Sequence, residues 1–290
     1  MLIQLIVSGI LLGGIYALLS IGLSLMLGVS KFVNFAHGDF VMIGMYSTYL
    51  MYAAFNLNPY VSWPLVILIG ILFGMLIFTV SKKFIGKSPI NQILLTLGFS
   101  MILQNVVLLV FKSDFKAVPS TFNNSLNFGG VFVSGAQLIT FGLSLLTTVA
   151  FLVFIKKTNM GRAMRAVGED RNASKLMGIN VPRIDLIVFT LGTVMASLAG
   201  ALLMTMYPTY PTVGSSYNIL AWITVILGGL GHLQGALIAA MIIGISETLT
   251  GFYLGADLRQ LVYFIIFIVV LIVSPKGLFH KFSLKKVKRL

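Results

Sequence analysis

The chain has 290 residues, 58% of them hydrophobic and only 9% charged, with a mean hydropathy of +1.01, where soluble domains carry about 25% charged residues. It has too few polar side chains to cover a water-facing globule and reads as an integral membrane protein, with no cysteine for disulfides or thiolate metal centres. The net charge of +13 does not point to nucleic acid, because the basic residues sit in short loops between apolar stretches and not on one face of a domain.

A membrane-crossing helix needs about 20 apolar residues. Residues 3–27 supply a first span; no basic residue precedes its apolar run and no small-x-small pattern lies near Leu27, so it reads as retained and not as a cleaved leader. FVNFAHGDF follows at 32–40, gathering Asn34, His37 and Asp39 between two apolar stretches. One His and one Asp without a thiol make a poor metal site, and no nucleophile stands beside them, so no metal-binding or catalytic residue is assigned. Phe40 onward is apolar, which places the cluster at the cytoplasmic start of the second span or slightly within it. Asn34 or Asp39 would then cap the second helix, with the carboxylate near its positive end. Alternatively, the cluster pins a break in the helix, its polar groups satisfying one another and exposed backbone. Direct contact with a transported solute is the third reading.

Further spans are expected at 38–55, 61–81, 90–111, 138–155, 184–206 and 259–274. SKKFIGKS (81–88) differs from a phosphate-binding loop only at Ser81, but it follows an apolar span and precedes Pro89, so its lysines are read as topology charges. Gln104 and Asn105 are expected to hydrogen-bond between helices. The connection at 156–183 is too patterned for a tether. Asn159 would cap a helix through Val167 that Gly168 ends, and Asp170 would cap a second through Met177 that Gly178 ends. The second piece carries Ala173, Leu176 and Met177 as a small apolar face, with Arg171 and Lys175 one turn apart. Two readings stand: a basic loop lying on anionic lipid, or a docking helix for a cytoplasmic partner.

The apolar stretch 217–254 is broken by Gly228, Gly229, Gly231 and Gly235, and suits two short helices packed as a hairpin. Glu247 lies in its second half. A carboxylate within the membrane costs about 2.5–3.5 kcal/mol on insertion scales, so it should face protein or water, with His232, Tyr253 or another span as partner; the alternative is a hydrated place at the outer interface. All basic residues but Lys112, Lys116 and Arg259 lie on one set of connections: Lys31, the 82–87 and 156–183 loops, and the tail with Lys276, Lys281, Lys285, Lys286, Lys288 and Arg289. That asymmetry puts this set and the C-terminus in the cytoplasm and the N-terminus outside. The expected fold is all-α: a polytopic membrane bundle of about eight to nine segments, one transmembrane domain over 1–290.

Three stretches carry a resemblance: GLSLMLGVSKFVNFAHGDFVMIGMY (22–46), GRAMRAVGEDRNASKLMGIN (161–180) and VILGGLGHLQGALIAAMIIGISE (225–247). In this order they resemble the membrane permeases of the branched-chain amino acid ABC importers, in particular the permease of the pair with the early NFAHG signature. The likeness runs from about Ser8 to Phe279. It implies a subunit, not an enzyme, that forms the pathway for leucine, isoleucine and valine in a multi-pass cell-membrane complex. The implied partners are two cytoplasmic ABC ATPase subunits, a second homologous permease and an extracytoplasmic solute-binding protein, all around the lipid bilayer. ATP would be used by those ATPase subunits, with no cofactor on this chain. The implied ATPase-coupling loop is 156–183, with Gly161, Arg162, Arg165, Glu169, Asp170, Ala173, Leu176, Met177 and Gly178. Related permeases handle urea, short amides or sugars, which leaves a small neutral solute as an alternative. A stand-alone secondary transporter or channel would need intramembrane ionisable groups, and Glu247 is the strong candidate for that role.

Overall fold

The computed structural model describes residues 1–278 except 120–121, 123, 129 and 275–276. Of the basic tail, Lys276, Lys281, Lys285, Lys286, Lys288 and Arg289 lie outside the described residues. The helices are α1 (Leu2–Leu25), α2 (His37–Phe55), α3 (Trp63–Ser81), α4 (Pro89–Phe111), α5 (Gly135–Lys157), α6 (Asn159–Glu169), α7 (Arg171–Leu176), α8 (Val181–Leu203), α9 (Val213–Gly228), α10 (Leu233–Tyr253) and α11 (Arg259–Val273). The molecule is a bundle of apolar helices. Among the described residues, six stretches are long and apolar enough to cross a membrane: Leu2–Ser30, Pro59–Ser81, Pro89–Phe111, Gly135–Lys157, Val181–Leu203 and Leu233–Tyr253. Val213–Gly228 and Arg259–Val273 are apolar but shorter, and α2, which opens on His37 and Asp39, is not among the six.

One small departure from an all-helical fold is a two-stranded antiparallel ribbon, β1 (Ser125–Phe128) with β2 (Val131–Ser134). Gln4 in the first turn of α1 acts as its third edge. The Phe132 N–H donates to Gln4 Oε1 at 2.7 Å, and the Gln4 amide donates back to the Phe132 carbonyl. The ribbon thereby lies at the Lys112 end of the bundle, opposite Lys31.

Close helix contact in an apolar solvent depends on small residues, since lipid tails are as apolar as leucine and burial alone drives little association. α1 and α10 run antiparallel: a Cβ on Gly9 would lie 2.5 Å from Ile245 Cα, one on Gly13 2.8 Å from Met241 Cα, and one on Gly28 3.0 Å from Gly231 Cα. The central helix α8 receives α2 through Gly44, seated on the Ser197 backbone, and through Gly200, seated on the Val41 backbone. The same α1–α10 register locates the broken stretch. Gly229 and Gly231 take left-handed or related positive φ (98° and 77°) and turn α9 into α10 beside Gly28, at the Lys31 end. Gly228 packs against the backbone of Gly235 and closes the hairpin. The break is thus a tight turn at one end of the bundle, with α9 and α10 on either side of it.

Candidate functional site

After α1 the chain makes one π-helical turn, Met26–Ser30, and Lys31 takes a left-handed conformation (φ 51°, ψ 38°) that stops it. Residues 32–36 then run back into the bundle without helical hydrogen bonds of their own. A bare backbone inside a membrane needs partners from elsewhere in the protein. α4 supplies them. The Val33 N–H donates to Gln92 Oε1 at 2.8 Å and the Phe35 N–H to Thr96 Oγ1 at 3.0 Å. Two turns further up the same face of α4, Gln104 donates to Asp39 Oδ1 at 2.8 Å. Gln92, Thr96, Ser100 and Gln104 recur every fourth residue, a polar stripe on an otherwise apolar helix that follows the returning segment step by step. Phe32, Phe35 and Phe40 hold its apolar side, against Phe189, Trp222 and Phe73 respectively.

The start of α2 lies deeper than its sequence suggests. His37 Nε2 is 3.1 Å from the Leu19 carbonyl oxygen; that oxygen only accepts, so Nε2 carries the proton. Leu19 stands about 16 Å from Ser30 along α1 at about 1.5 Å per residue, close to half of an approximately 30 Å hydrocarbon layer. The expectation of a cluster at or just inside the interface is therefore corrected to one near half-depth, because residues 32–36 climb beside α4 without helix before α2 begins. Asn34 does not cap α2: its Oδ1 accepts from Ala36 N–H at 3.0 Å in a local turn, and its amide faces Met26 Sδ. The N-cap position is Ala36, which makes no side-chain cap bond.

Asp39 lies in the first turn of α2, 1% exposed. α9 begins at the same level and runs the opposite way. The Gly38 N–H donates to Asn218 Oδ1 at 3.3 Å, and Gly214 packs against the Asp39 side chain. The N-terminal ends of two helices therefore overlap around one carboxylate. Gln104 Nε2 also lies 3.0 Å from Ser215 Oγ and 3.2 Å from Ser100 Oγ. Ser215 is exposed and Gln104 half-buried, so this polar cluster opens onto the outer face of the bundle at half-depth.

Of the two amides expected to bridge helices, Gln104 does so and Asn105 does not: Asn105 donates to the Met101 carbonyl one turn back on its own exposed face. Glu247 is 7% exposed. It is met from α1 and α11: Tyr16 donates to Oε2 at 2.6 Å, and Arg259 Nη1 lies 3.6 Å from Oε1. Of the partners expected, His232, Tyr253 or another span, these belong to other spans. The group sits toward the Lys112 end, remote from Asn34, His37 and Asp39, so the four polar residues singled out in the sequence form two sites.

The 156–183 connection lies beyond the bundle's Lys31 end. Thr158, not Asn159, caps α6, accepting from the Gly161 N–H at 3.0 Å. Gly168 is helical, and α6 continues to Glu169. The reason is local: Thr158 has the extended backbone a cap requires (φ −89°, ψ 157°), while Gly168 is seated against the Gly28 carbonyl and has no room to turn out. Gly161 lies on the Ile155 backbone, and Arg165 donates to the Ile155 carbonyl, folding α6 back under α5. The Arg162 guanidinium reaches Asn159. Asp170 caps α7, accepting from Asn172 and Ala173 N–H at 2.8 and 3.0 Å, and Gly178 ends it at φ 83°. Ala173 is exposed, and Leu176 and Met177 stand out at 89% and 82% exposure. Arg171 turns inward to Asp185. The sequence reading missed Asp185, Gln92, Thr96 and Ser215. The stripe at four-residue spacing in α4 was the available signal, as was the rarity of acids, seven in the whole chain.

Residues 5–271 match the family model described as branched-chain amino acid transport system / permease component. The high-affinity branched-chain amino acid transport system permease protein LivH of Salmonella typhimurium is 33% identical over 98% of this chain and 97% of its own. The LivH protein of Escherichia coli K12 has the same identity and coverage. The corresponding BraD protein of Pseudomonas aeruginosa is 29% identical over 98% of both chains. No solved structure matches. With nearly its whole length matched, this chain belongs to the family of branched-chain amino acid permease components, which are membrane transport subunits and not enzymes.

Proposed function

We propose that the chain is one of two permease subunits of an ABC importer that carries leucine, isoleucine and valine across the cell membrane. What carries the reading is a permease-family match over nearly the whole chain joined to one feature outside the bundle. That feature is α7, capped at its start and holding Leu176 and Met177 out into solvent. An exposed apolar pair on a short rigid helix with a charged rim has the make-up of a docking surface. Two ATPase subunits take the α6–α7 face, with Gly161, Arg162, Arg165, Glu169, Asp170, Ala173 and Gly178 setting its shape. ATP is bound and hydrolysed there and not by this chain. A solute-binding protein delivers from the opposite, Lys112 end. The Lys31 end is cytoplasmic, the N-terminus outside and the C-terminus inside, and α2, α9 and α11 join the six long helices as nine membrane segments.

The pathway runs along the face where Gln104 and Ser215 open at half-depth. A polar group facing hydrocarbon there is costly, so that face meets the second permease and the water between the two. Asn34, His37 and Asp39 hold the returning segment that builds this face, and the small residues around it leave room for branched side chains. Gly228, Gly229, Gly231 and Gly235 shape the turn that carries α9 to the site. Glu247 is a support remote from the solute.

The test is tagged purification in mild detergent, with and without the paired change Leu176→Asp and Met177→Asp. Two ATPase subunits and a second permease should accompany the wild type, and the ATPases should be lost from the variant. The co-purified system, titrated with its binding protein and leucine, isoleucine, valine or urea, names the solute. A wild-type chain that emerges alone and moves solute without ATP overturns the reading.

A further inference from the structure

Asp185, 3% exposed in the second turn of α8, is the meeting point of three parts of the molecule. Arg171, the first residue of α7, grips it with both arms of its guanidinium: Nη1 to Oδ1 at 3.0 Å and Nη2 to Oδ2 at 2.6 Å. Ser30, the last residue of the π turn after α1, donates to Oδ1 at 2.7 Å. Arg171 Nη1 also lies 3.5 Å from the Val29 carbonyl. A two-pronged guanidinium–carboxylate pair fixes angle as well as distance, whereas apolar contacts slide. The helix it holds is fastened at one end by the Asp170 cap and the pair, while Leu176 and Met177 project from the other.

Two of the three parts lead to the half-depth site. Ser30 immediately precedes Lys31 and the non-helical segment that ends at Ala36, where α2 opens. α8 runs from Asp185 into the middle of the bundle, where Ser197 and Gly200 seat α2 by direct backbone contact. We propose that the Arg171–Asp185–Ser30 group is the clamp that delivers displacement of α7 to α1, α8 and the start of α2. Arg171 and Asp185 are positioning residues of transport coupling. The inference rests on the importer reading above for what moves α7.

The test has two arms. In the first, the whole complex is reconstituted with Asp185→Asn, Arg171→Gln or both, and hydrolysis of ATP is measured with and without solute-loaded binding protein. Asp185→Asn should leave complex assembly and unstimulated hydrolysis at wild-type levels and lower the stimulated-to-unstimulated ratio about tenfold, and the double variant should lose no more than either single one, as residues acting as a unit do. In the second arm, spin labels are placed at Leu176→Cys and Lys83→Cys of this naturally cysteine-free chain, and their distance distribution is recorded without any partner. It should be narrow in the otherwise unaltered chain and broad with Asp185→Asn.

A wild-type ratio and an unbroadened distribution overturn the clamp, as do losses that multiply in the double variant. If the wild-type chain associates with no ATPase, the importer reading fails instead, and the spin-label arm still decides whether the pair holds α7. Should Asp185→Asn fail to insert, Arg171→Lys keeps the charge and gives up the second prong. It carries the same expected loss of ratio and the same broadening.

Discussion

Gln104 has three acceptors around one amide nitrogen, the Asp39 carboxylate and the hydroxyls of Ser100 and Ser215, but that nitrogen carries two hydrogens. At any moment one acceptor is left over, beside an open face at half-depth. On the pathway proposed above, a passing ammonium or amide would find hydrogen-bonding capacity there without breaking the cluster apart. Gln104→Leu removes the amide that donates to Asp39 Oδ1, a loss of about 1–3 kcal/mol, and should lower leucine uptake into vesicles by about 5- to 150-fold with unchanged protein in the membrane. Uptake at the wild-type rate would remove the cluster from the pathway. Glu247 makes a different expectation. Glu247→Ala leaves the buried Tyr16 hydroxyl without its acceptor, so the detergent-solubilised protein should lose about 1–3 kcal/mol of stability, read as a lower unfolding midpoint. Tyr16→Phe should leave transport intact; a variant that is stable but inactive would move Glu247 into the pathway.

The helices themselves were legible because long apolar runs have no other stable home than a bilayer. The expected spans 90–111 and 259–274 meet α4 and α11 within a residue, and the glycine-broken stretch resolves into two helices with a turn. What hydropathy could not give is depth. His37 starts a helix near the middle of the bundle because residues 32–36 are not helical, and side chains of α4 take the N–H groups of Val33 and Phe35, a pairing across about sixty residues that no local pattern announces. The cap of α6 shifted by one residue for a similar reason: Thr158 and Asn159 are both capping types, and packing of Gly161 on Ile155 chose between them. The glycines divide on the same physical ground. Gly44 and Gly200 bring two backbones together, whereas a Cβ on Gly98 would meet nothing within 4 Å. Gly44→Val should therefore abolish a monodisperse elution peak, and Gly98→Ala should leave it unchanged.

At the scale of the whole molecule the strongest sequence signal was charge asymmetry, and it has a direct test in a chain that lacks cysteine. A membrane-impermeant maleimide applied to right-side-out vesicles should label Asp114→Cys at once and Lys83→Cys only after permeabilisation; the reverse pattern would invert the proposed orientation. The partners lie beyond what one chain's side chains spell out, since an exposed Leu176 and Met177 state that something docks and not what it is. The borrowed hydrogen bonds of the extended segment also set an order of assembly during synthesis. The amides of Val33 and Phe35 wait for Gln92 and Thr96, made 59 and 61 residues later. At the usual elongation rate of roughly 5–20 residues per second that is about 3–12 s. For that interval the segment cannot take its final depth, and the ribosome must deliver the fourth helix before the second can settle.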